Sequence, residues 1–393
     1  MLEEVLEDRT ITLRPTTAFV SLEALRGNLA AIRQRVGPGV RTMAVVKANA
    51  YGHGLIRTAL ELVRAGADEL GVAFVEEGIA LRRAGITTPI LVLGGIIGGQ
   101  IAHYLEHDLA ITAASPFKLR QIEEVAAAMK RRAKVHLKLD TGMERIGIHW
   151  DHASALFEAA SEARWSDVLG VFSHFSTSDE ADLTHTKLQL ERFLEALDWY
   201  RRTSVPMPAR HIANSGGILQ HPESFFEMVR PGALLYGFYP SHETDRTAVA
   251  VFPALSLVTR VVYFKVVRAK DPVGYGRKFR PDRPTRVVTL PVGYGDGYSR
   301  SLGDKAFVLV GGLRYPVIGS VTMDAIMVAI GDGTAYVGDE AVLIGRQGRE
   351  EVGVEELADL VGTIPYEILT SIGARVPRIY LEPGEDRAKY LAE

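Results

Sequence analysis

Residues 42–54 read TMAVVKANAYGHG and place a lysine at the end of a short apolar run. The run is rich in β-branched residues and is too short for a helix, so it predicts a buried strand over 42–47. A glycine-containing loop follows, and then a helical pattern whose apolar residues include Leu55, Ala59 and Leu62. A buried strand, a loop and a helix in this order are typical of the first unit of an alternating α/β fold.

The same alternation continues through the first 250 residues. Two helix starts carry clear signals: Ser21 caps one helix, and Ser115 caps another that has Pro116 at its first position. Seven further segments predict strands: ELGVAF (69–74), PILVLG (89–94), LAIT (109–112), KVHLKLD (134–140), DVLGVFSH (167–174), ARHIAN (209–214) and FEMVR (226–230). Eight such units favour a TIM-like (β/α)8 barrel, whose usual size is about 250 residues. A doubly wound open sheet is the alternative, but no G-x-G-x-x-G motif follows the first strand.

The pattern changes after about Phe252. Valine- and threonine-rich segments bounded by Gly, Pro and Asp predict a mostly antiparallel β domain, in which only VEELADLVG (354–362) and PYEILTSIG (365–373) look helical. We therefore predict a barrel at residues 1–250 and a β-rich domain at 251–393. The first 15 residues or so are expected to be able to pack with the second domain.

Composition excludes several classes of protein. The chain has 393 residues and a net charge of −3, which gives no electrostatic footprint for nucleic acid. The absence of cysteine removes disulfides, thiolate metal sites and cysteine nucleophiles, and no metal site is predicted. The N-terminus lacks the apolar segment of a signal peptide, and the most apolar run, at 89–99, is about half of what a membrane-spanning helix needs. We expect a cytoplasmic protein with neither a membrane nor a nucleic-acid partner.

Charged and small residues collect at the carboxyl ends of the predicted strands, where barrel enzymes build their active sites. These ends carry Lys47, Asp140 with the nearby Arg145, His174, Asn214-Ser215-Gly216-Gly217 and Arg230-Pro231-Gly232. Burial disfavours the ammonium form of Lys47 and makes its amine a better nucleophile or Schiff-base partner; the alternative is a lysine that packs its stem and only reaches the rim. Ser215 and Gly232 are of the kind that bind phosphate in barrels. Together these features point to pyridoxal 5′-phosphate as the cofactor.

Eight motifs resemble those of alanine racemases, in order, from about Thr16 to Tyr380. They are AVVKANAYGHG (44–54), LDTGMERIG (139–147), HIANSGG (211–217), VRPGALLYG (229–237), VGYGRKF (273–279), GYGDGY (293–298), GSVTMD (319–324) and IPYEILTSIGARVPRIY (364–380). The resemblance implies a barrel followed by a β domain, bound pyridoxal phosphate and a head-to-tail homodimer with shared active sites.

The resemblance also implies roles for single residues toward the cofactor. Lys47 holds it covalently, and Arg230 faces the pyridine nitrogen, which it keeps unprotonated because an arginine does not give up its proton. His174 packs beside the cofactor ring and bonds Arg230. The phosphate is bound by residues of four segments: Tyr51, Ser215, the backbone around Gly232, and Tyr366. Asn214 is a further cofactor-binding residue.

Further roles concern the substrate and the second base. Racemisation needs a proton removed on one face and returned on the other, so the resemblance pairs Lys47 with Tyr275 of the partner subunit. Arg145 binds the substrate carboxylate, a task suited to a planar fork of donors, and Met323 lies near the substrate. Lys138, Tyr294 and Asp324 are supporting residues; Lys138 is either carbamylated or simply paired with Asp140. Five positions depart from the usual family choices: Glu144, Gly274, Arg277, Lys278 and Thr322.

The sequence thus predicts an isomerase that interconverts L- and D-alanine and supplies D-alanine for peptidoglycan. A related racemase acting on another amino acid, such as serine, is the nearest alternative. A decarboxylase of the same architecture would carry an essential cysteine, which this chain lacks. A non-catalytic cofactor-binding protein would usually be a barrel alone, whereas this chain continues for about 140 residues.

Overall fold

The computed structural model describes residues 14–391 and forms two compact units. The barrel unit consists of Leu25–Ala50 and Leu55–Phe252. The β unit consists of 253–391 together with 14–24 and Tyr51–Gly54, so the chain passes between the units at several points. Of the first 15 residues or so, which are expected to be able to pack with the second domain, 1–13 lie outside the described part of the chain.

The barrel unit is a parallel sheet. Strands are numbered along the chain; β1 (Thr17–Ser21) belongs to the β unit, and the barrel strands are β2 (Arg41–Val45), β3 (Glu69–Val72), β4 (Ile90–Val92), β5 (Ala110–Ala113), β6 (Ala133–Asp140), β7 (Ile148–His149), β8 (Ser166–Phe172), β9 (Ala209–His211) and β10 (Met228–Val229). Their order is β10-β2-β3-β4-β5-β6-β8-β9, with β7 added on β6. The Arg230 N–H donates to Ala213 O (2.9 Å) just beyond β9 and β10, which brings the two ends of the sheet together. The predicted eight-stranded barrel is confirmed.

Helices follow most of the barrel strands. They are α1 (Leu22–Val36), α2 (Leu55–Arg64), α3 (Val75–Arg83), α4 (Ile101–Glu106), α5 (Pro116–Met129), α6 (Ala153–Ser161), α7 (Thr184–Thr203) and α8 (Ser215–Gln220). Both predicted caps are present, because Ser21 Oγ accepts from Ala24 N (3.1 Å) and Ser115 Oγ accepts from Lys118 N (3.2 Å). Helix α1 forms because its apolar positions, such as Leu25, are fully buried.

The barrel interior is packed with side chains and does not form a pore. One apolar cluster takes a residue from each of five strands: Met43, Leu91, Ala110, Phe172 and Met228. Polar and charged side chains replace apolar ones nearer the carboxyl ends, where Lys138 and Arg230 are both buried. The apolar part therefore supplies the packing energy, and the polar part is available for chemistry.

The β unit is built on a ten-stranded, mostly antiparallel sheet, as predicted. Besides β1 its strands are β11 (Leu255–Arg260), β12 (Tyr263–Val267), β13 (Thr285–Leu290), β14 (Phe307–Val310), β15 (Leu313–Ile318), β16 (Ile326–Gly331), β17 (Glu340–Gln347), β18 (Glu350–Val352) and β19 (Arg378–Leu381). The order is β12-β13-β16-β15-β14-β17-β11-β1-β19, with β18 paired to β17. Its helices are α9 (Val354–Val361), α10 (Pro365–Ser371) and α11 (Ala388–Leu391). Within residues 14–391, no helix has the length and apolar character needed to cross a membrane.

Several barrel strands end earlier than the sequence predicts. The first barrel strand ends at Val45 rather than at Lys47, and β8 ends at Phe172 rather than at His174. Likewise β9 ends at His211, and the last strand covers only Met228–Val229. In each case the residues that follow have left the sheet and turned into a loop, so the predicted site residues lie just beyond the strands.

Candidate active site

Lys47 begins a left-handed turn. The four residues that follow it, 48–51, have φ values between 52° and 55°, although none of them is glycine. Such a conformation costs roughly 1–2 kcal/mol per residue, so the surrounding structure must hold it. One restraint is Glu77, whose Oε1 accepts from the N–H of Ala48 (2.6 Å). The sequence gives no signal for this turn, which orients the backbone directly after Lys47.

The amine of Lys47 lies in a half-buried and largely cationic environment. Burial lowers its pKa, and the positive charges of Arg145 and Arg230 lower it further, while Glu77 opposes them. A lysine with a lowered pKa holds a larger neutral fraction near neutral pH than a free lysine does. Lys47 therefore has the electronic character of a nucleophile or a base.

Arg230 is buried and fully engaged by acceptors. Its guanidinium donates to His211 Nδ1 (2.9 Å), Ser173 O (2.7 Å), Ile212 O (3.2 Å) and His174 Nδ1 (3.4 Å). Burial lowers the pKa of Arg230 to about 9, which still leaves the group charged at neutral pH. The arginine–histidine contact that the sequence predicts is thus present in the barrel.

Two buried histidines extend this contact into the barrel. Because Arg230 donates to His211 Nδ1, the proton of His211 is assigned to Nε2, which donates to His136 Nδ1 (2.9 Å). Burial and the charge of Arg230 lower the pKa of both imidazoles, that of His136 to about 3. Gly170 makes room for the pair, since a Cβ there would collide with His136 Nδ1. Neither histidine is among the site residues predicted from the sequence, although His136 shares the inward face of β6 with Lys138 and the alternation along the strand indicates it.

His174 is held neutral as well. Burial lowers its pKa well below the ordinary value, and the positive charges of Arg230, Lys138, Arg145 and Lys47 lower it further. Since its Nδ1 accepts from Arg230, its proton is assigned to Nε2. A neutral imidazole beside a charged guanidinium orients that arginine without competing with it for a proton.

Lys138 is a buried amine among cations. Its Nζ lies 4.7 Å from the centre of the Phe172 ring, and burial together with Arg230 and Arg145 lowers its pKa well below the ordinary value. The proposed pairing with Asp140 is not formed, because that carboxylate accepts four backbone N–H groups of its own loop, from Gly142 to Arg145. Within residues 14–391, Lys138 has no carboxylate within ion-pair distance.

The Asp140 loop presents Arg145 to solvent. The carboxylate fixes the backbone, and the Arg145 side chain is exposed. Glu144, the unusual neighbour, turns away at φ 54° and lies 3.3 Å from the ring of His149. Its charge is therefore directed toward His149.

The two predicted phosphate segments of the barrel meet. Ser215 Oγ accepts from Gly232 N (3.0 Å) and Leu234 N (3.4 Å), which joins the loops after β9 and β10. Asn214 caps α8 by accepting from Gly217 N (3.0 Å), so its side-chain oxygen serves the backbone. The result is a small, hydrogen-bonded platform at the carboxyl end of the barrel strands.

Two predicted phosphate-binding tyrosines also meet, within the β unit. The rings of Tyr51 and Tyr366 lie 5.7 Å apart at an angle of 46°. Gly52 allows this approach, because its φ is 85° and a Cβ would collide with the backbone of Leu369 in α10. Burial raises the pKa of Tyr51, so its hydroxyl stays protonated and able to donate.

Tyr275 occupies an exposed turn of the β unit. Its side chain is 75% exposed, and it stands between Gly274 (φ 68°) and Gly276 (φ 74°). The bridge between Val273 and Phe279 closes the turn at its base. Gly274 thus provides a backbone conformation that a side chain would disfavour, which explains its presence beside the predicted second base.

The fold and the site define a two-unit barrel enzyme with a reactive amine, a buried arginine and a phosphate-type platform at the carboxyl ends of its strands. Comparison with known proteins agrees with this class. The alanine racemase N-terminal domain matches residues 20–240, and the alanine racemase C-terminal domain matches residues 254–380. The chain belongs to the alanine racemase family, and its activity is the isomerisation of L- and D-alanine.

Individual relatives support the assignment over nearly the whole chain. It is 44% identical to the alanine racemase of Symbiobacterium thermophilum, over 94% of this chain and 97% of the relative. The solved alanine racemase of Clostridium difficile 630 superimposes with a TM-score of 0.90 at 34% identity, covering 96% of this chain and 98% of that one. That of Bartonella henselae, described with covalently bound pyridoxal phosphate, has a TM-score of 0.84 at 28% identity and covers 93% and 99%. The family generally depends on pyridoxal phosphate.

Proposed function

We propose that this chain racemises alanine with pyridoxal phosphate and two bases, Lys47 and Tyr275. The observation that carries the proposal is the grouping of Lys47, Arg145 and Arg230, whose charges act on one another at one end of the barrel. An amine of lowered pKa is suited to proton abstraction, and the two guanidiniums are suited to anions and to a ring nitrogen.

The chemistry of the donor set fits pyridoxal phosphate. Lys47 offers an amine for the aldehyde, and Ser215, Tyr51 and Tyr366 offer hydroxyl donors for the phosphate, with the backbone at Gly232 held against Ser215. Arg230 offers a charged donor to the pyridine nitrogen, and His174 and Asn214 support that end of the barrel. When bound, the cofactor makes the hydrogen on the substrate Cα acidic.

The residues of the chain then divide the proton work. Lys47 removes the α-proton from D-alanine and, when L-alanine is the substrate, donates a proton to Cα on that same face, so that D-alanine forms. Tyr275 of the partner subunit does the same for L-alanine from the other face. Arg145 binds the substrate carboxylate, Met323 and Tyr294 lie near the substrate and the entrance, and Asp324 is a supporting residue. A homodimer with shared sites follows from assigning Tyr275 to the partner.

The neutral histidines serve Arg230. Because His211 and His174 both accept from its guanidinium, they keep it charged and fixed toward the cofactor. A charged arginine at the pyridine nitrogen weakens the electron sink, which favours racemisation over transamination. In this role the protein supplies D-alanine for peptidoglycan, acting in the cytoplasm as the sequence predicts.

The direct test is an assay of the protein loaded with pyridoxal phosphate on L-alanine and L-serine. We expect D-alanine to form faster than D-serine, as measured by chiral chromatography, with no release of carbon dioxide. A faster reaction with serine would show that serine is the preferred substrate, and release of carbon dioxide would identify a decarboxylase. Absence of any D-amino acid would contradict the proposal.

Carbamylation of Lys138 is the second prediction. Its buried amine has a lowered pKa and lies near two arginines, so attack on carbon dioxide with loss of a proton would place a stabilising negative charge there. Carbon-13 NMR with labelled bicarbonate should show one carbamate signal, which Lys138→Ala removes. Lys134→Ala is the matched control, because that lysine is paired with Asp108 (2.7 Å) at the start of the same strand. A signal that survives in Lys138→Ala, or none in the unmodified chain, would show that Lys138 stays a free amine.

A further inference from the structure

A buried carboxylate lies where three loops of the β unit meet. The side chain of Asp296, in the GYGDGY motif, is 1% exposed. Two arginines neutralise it: Arg14 Nη2 lies 2.6 Å from its Oδ2, and Arg375 Nε lies 3.2 Å from its Oδ1. A charge so deeply buried is costly unless it is paired, so this arrangement calls for a reason beyond stability.

The contacts of Asp296 tie the first loop, 293–298, to the third, 371–375. Its Oδ2 also accepts from Gly293 N (2.9 Å), which closes its own loop. Its backbone oxygen accepts from Gly373 N (2.9 Å), just after α10. Gly297 has φ 99°, and a Cβ there would collide with Ser371 O. The first loop is therefore seated directly on the end of the helix that carries Tyr366.

The second loop, 321–325, is tied to the same centre. Arg375, which pairs with Asp296, donates through Nη2 to Asp324 Oδ1 (2.6 Å). The backbone N–H of Tyr294 donates to Thr322 O (3.0 Å), and that of Gly295 donates to Met323 O (2.9 Å). The loops that carry Tyr294 and Met323 are thus joined by backbone bonds and by the arginine bridge.

Arg14 also ties these loops together. Besides Asp296 it donates to Arg375 O (3.0 Å) and to Pro291 O (3.2 Å). It therefore fixes the backbone of the residue that bridges the two carboxylates. Two of these loops carry residues assigned above to the site, Tyr294 on the first and Met323 with Asp324 on the second. The third loop follows the helix that carries Tyr366.

We propose that Asp296 is a positioning residue, which with Arg14 and Arg375 locks the three loops into one body and so sets the substrate-facing side chains of the β unit. The inference rests on the proposed function, since the role of these side chains comes from it. The side chain of Asp296 is buried among the loops, so in this proposal it acts through them and not by contact with the substrate or the cofactor. It acts by keeping Tyr294, Met323 and Tyr366 in a constant relation to one another.

The test compares Asp296→Asn with Glu340→Gln. Asparagine keeps the shape and an acceptor for Gly293 N but loses the charge that holds both arginines. Glu340→Gln is the matched control. Glu340 is a partly buried carboxylate at the start of β17, away from the three loops, and it pairs with Arg387 (3.0 Å). Hydrogen exchange, measured by mass spectrometry, should speed up in the peptides covering 290–299 and 319–326 of Asp296→Asn alone. This readout does not depend on activity.

Loops that are no longer locked should misplace the side chains that face the substrate, and this should change the kinetics. In Asp296→Asn, kcat/KM for alanine should fall by about ten- to a hundredfold, mostly through KM, while Glu340→Gln stays within about twofold. Arg375→Lys, which keeps the charge but cannot reach both carboxylates, should give an intermediate loss and decides the matter if Asp296→Asn does not fold. Equal effects of Asp296→Asn and Glu340→Gln, or unchanged exchange in the two peptides, would overturn the proposal. If instead the unsubstituted protein fails to racemise alanine, the proposed function fails, and the exchange data still decide whether Asp296 locks the loops.

Discussion

Replacing Lys47 with alanine should abolish both covalent cofactor attachment and racemisation. The side chain is half-buried beside Arg145 and Arg230, and its lowered pKa makes it the amine best prepared to react with an aldehyde. It is also the base for one substrate face, so racemisation should fall by at least about 10⁴-fold, the upper end of what one acid–base group contributes. The rate of D-alanine formation measures this loss.

The attachment is measured separately. Borohydride reduction of the loaded protein followed by peptide mapping should place the cofactor on Lys47, and Lys47→Ala should carry none. Lys134→Ala serves as the control, because Lys134 is on the surface and paired with Asp108. If the cofactor were found on Lys138, the other amine with a lowered pKa, Lys138 and not Lys47 would be the residue that binds it covalently.

A lowered pKa also sets a pH dependence. The neutral amine of Lys47 is the reactive form, and it is lost as the pH falls through its pKa. Since that pKa lies below the ordinary value of 10.5, attachment of pyridoxal phosphate to the apoprotein should reach its maximal rate at a lower pH than with free lysine. A midpoint at or above the value of free lysine would mean that burial and the two arginines do not act on this amine.

The barrel could be predicted from sequence because its signals are local. Each strand is a short apolar run, and helices such as α5 begin at a serine cap followed by proline. Such patterns depend on residues a few positions apart. The β unit was predictable for the same reason, from valine- and threonine-rich segments bounded by turn residues.

What escaped prediction depends on contacts between distant residues. The left-handed turn at 48–51 contains ordinary residues and is held in part by Glu77, 29 positions after Ala48. Strand β1 joins the second sheet through β11 and β19, more than 230 residues away. The pairing of His136 with His211 spans 75 residues, so no spacing within one segment indicates it.

The predicted site likewise has features that local sequence indicates and features that depend on distant residues. The residue types at the strand ends indicated a site at the barrel mouth, because strand ends are placed by the fold itself. Burial at a strand end was enough to predict the lowered pKa of Lys47, but the lowered pKa values of Lys138 and His174 also depend on neighbouring arginines that the sequence does not locate. Lys138 illustrates this: its sequence neighbour Asp140 suggested an ion pair, yet the backbone of the following loop occupies that carboxylate.

Replacing Tyr275 with phenylalanine should lower racemisation by about 10²–10⁴-fold, the usual contribution of a positioned general base. The substitution removes one hydroxyl from a side chain that is 75% exposed, so the fold should be unaffected. The loss should be directional: with α-deuterated substrates, proton removal from L-alanine should suffer more than removal from D-alanine, which Lys47 still serves. Tyr263→Phe, at another exposed tyrosine of the β unit, is the matched control and should keep full activity.

Mixing subunits tests where Tyr275 acts. In a dimer of one Lys47→Ala and one Tyr275→Phe subunit, one site receives both intact bases and the other receives neither. Random exchange makes half of the dimers mixed, so activity should return to about a quarter of that of the unsubstituted enzyme, as expected for a closed two-fold assembly. If mass spectrometry shows mixed dimers and activity stays absent, Tyr275 serves its own chain or has no part in proton transfer. Because each parent variant should keep no more than about 1% of the activity, a return to about a quarter can come only from a site built by two subunits.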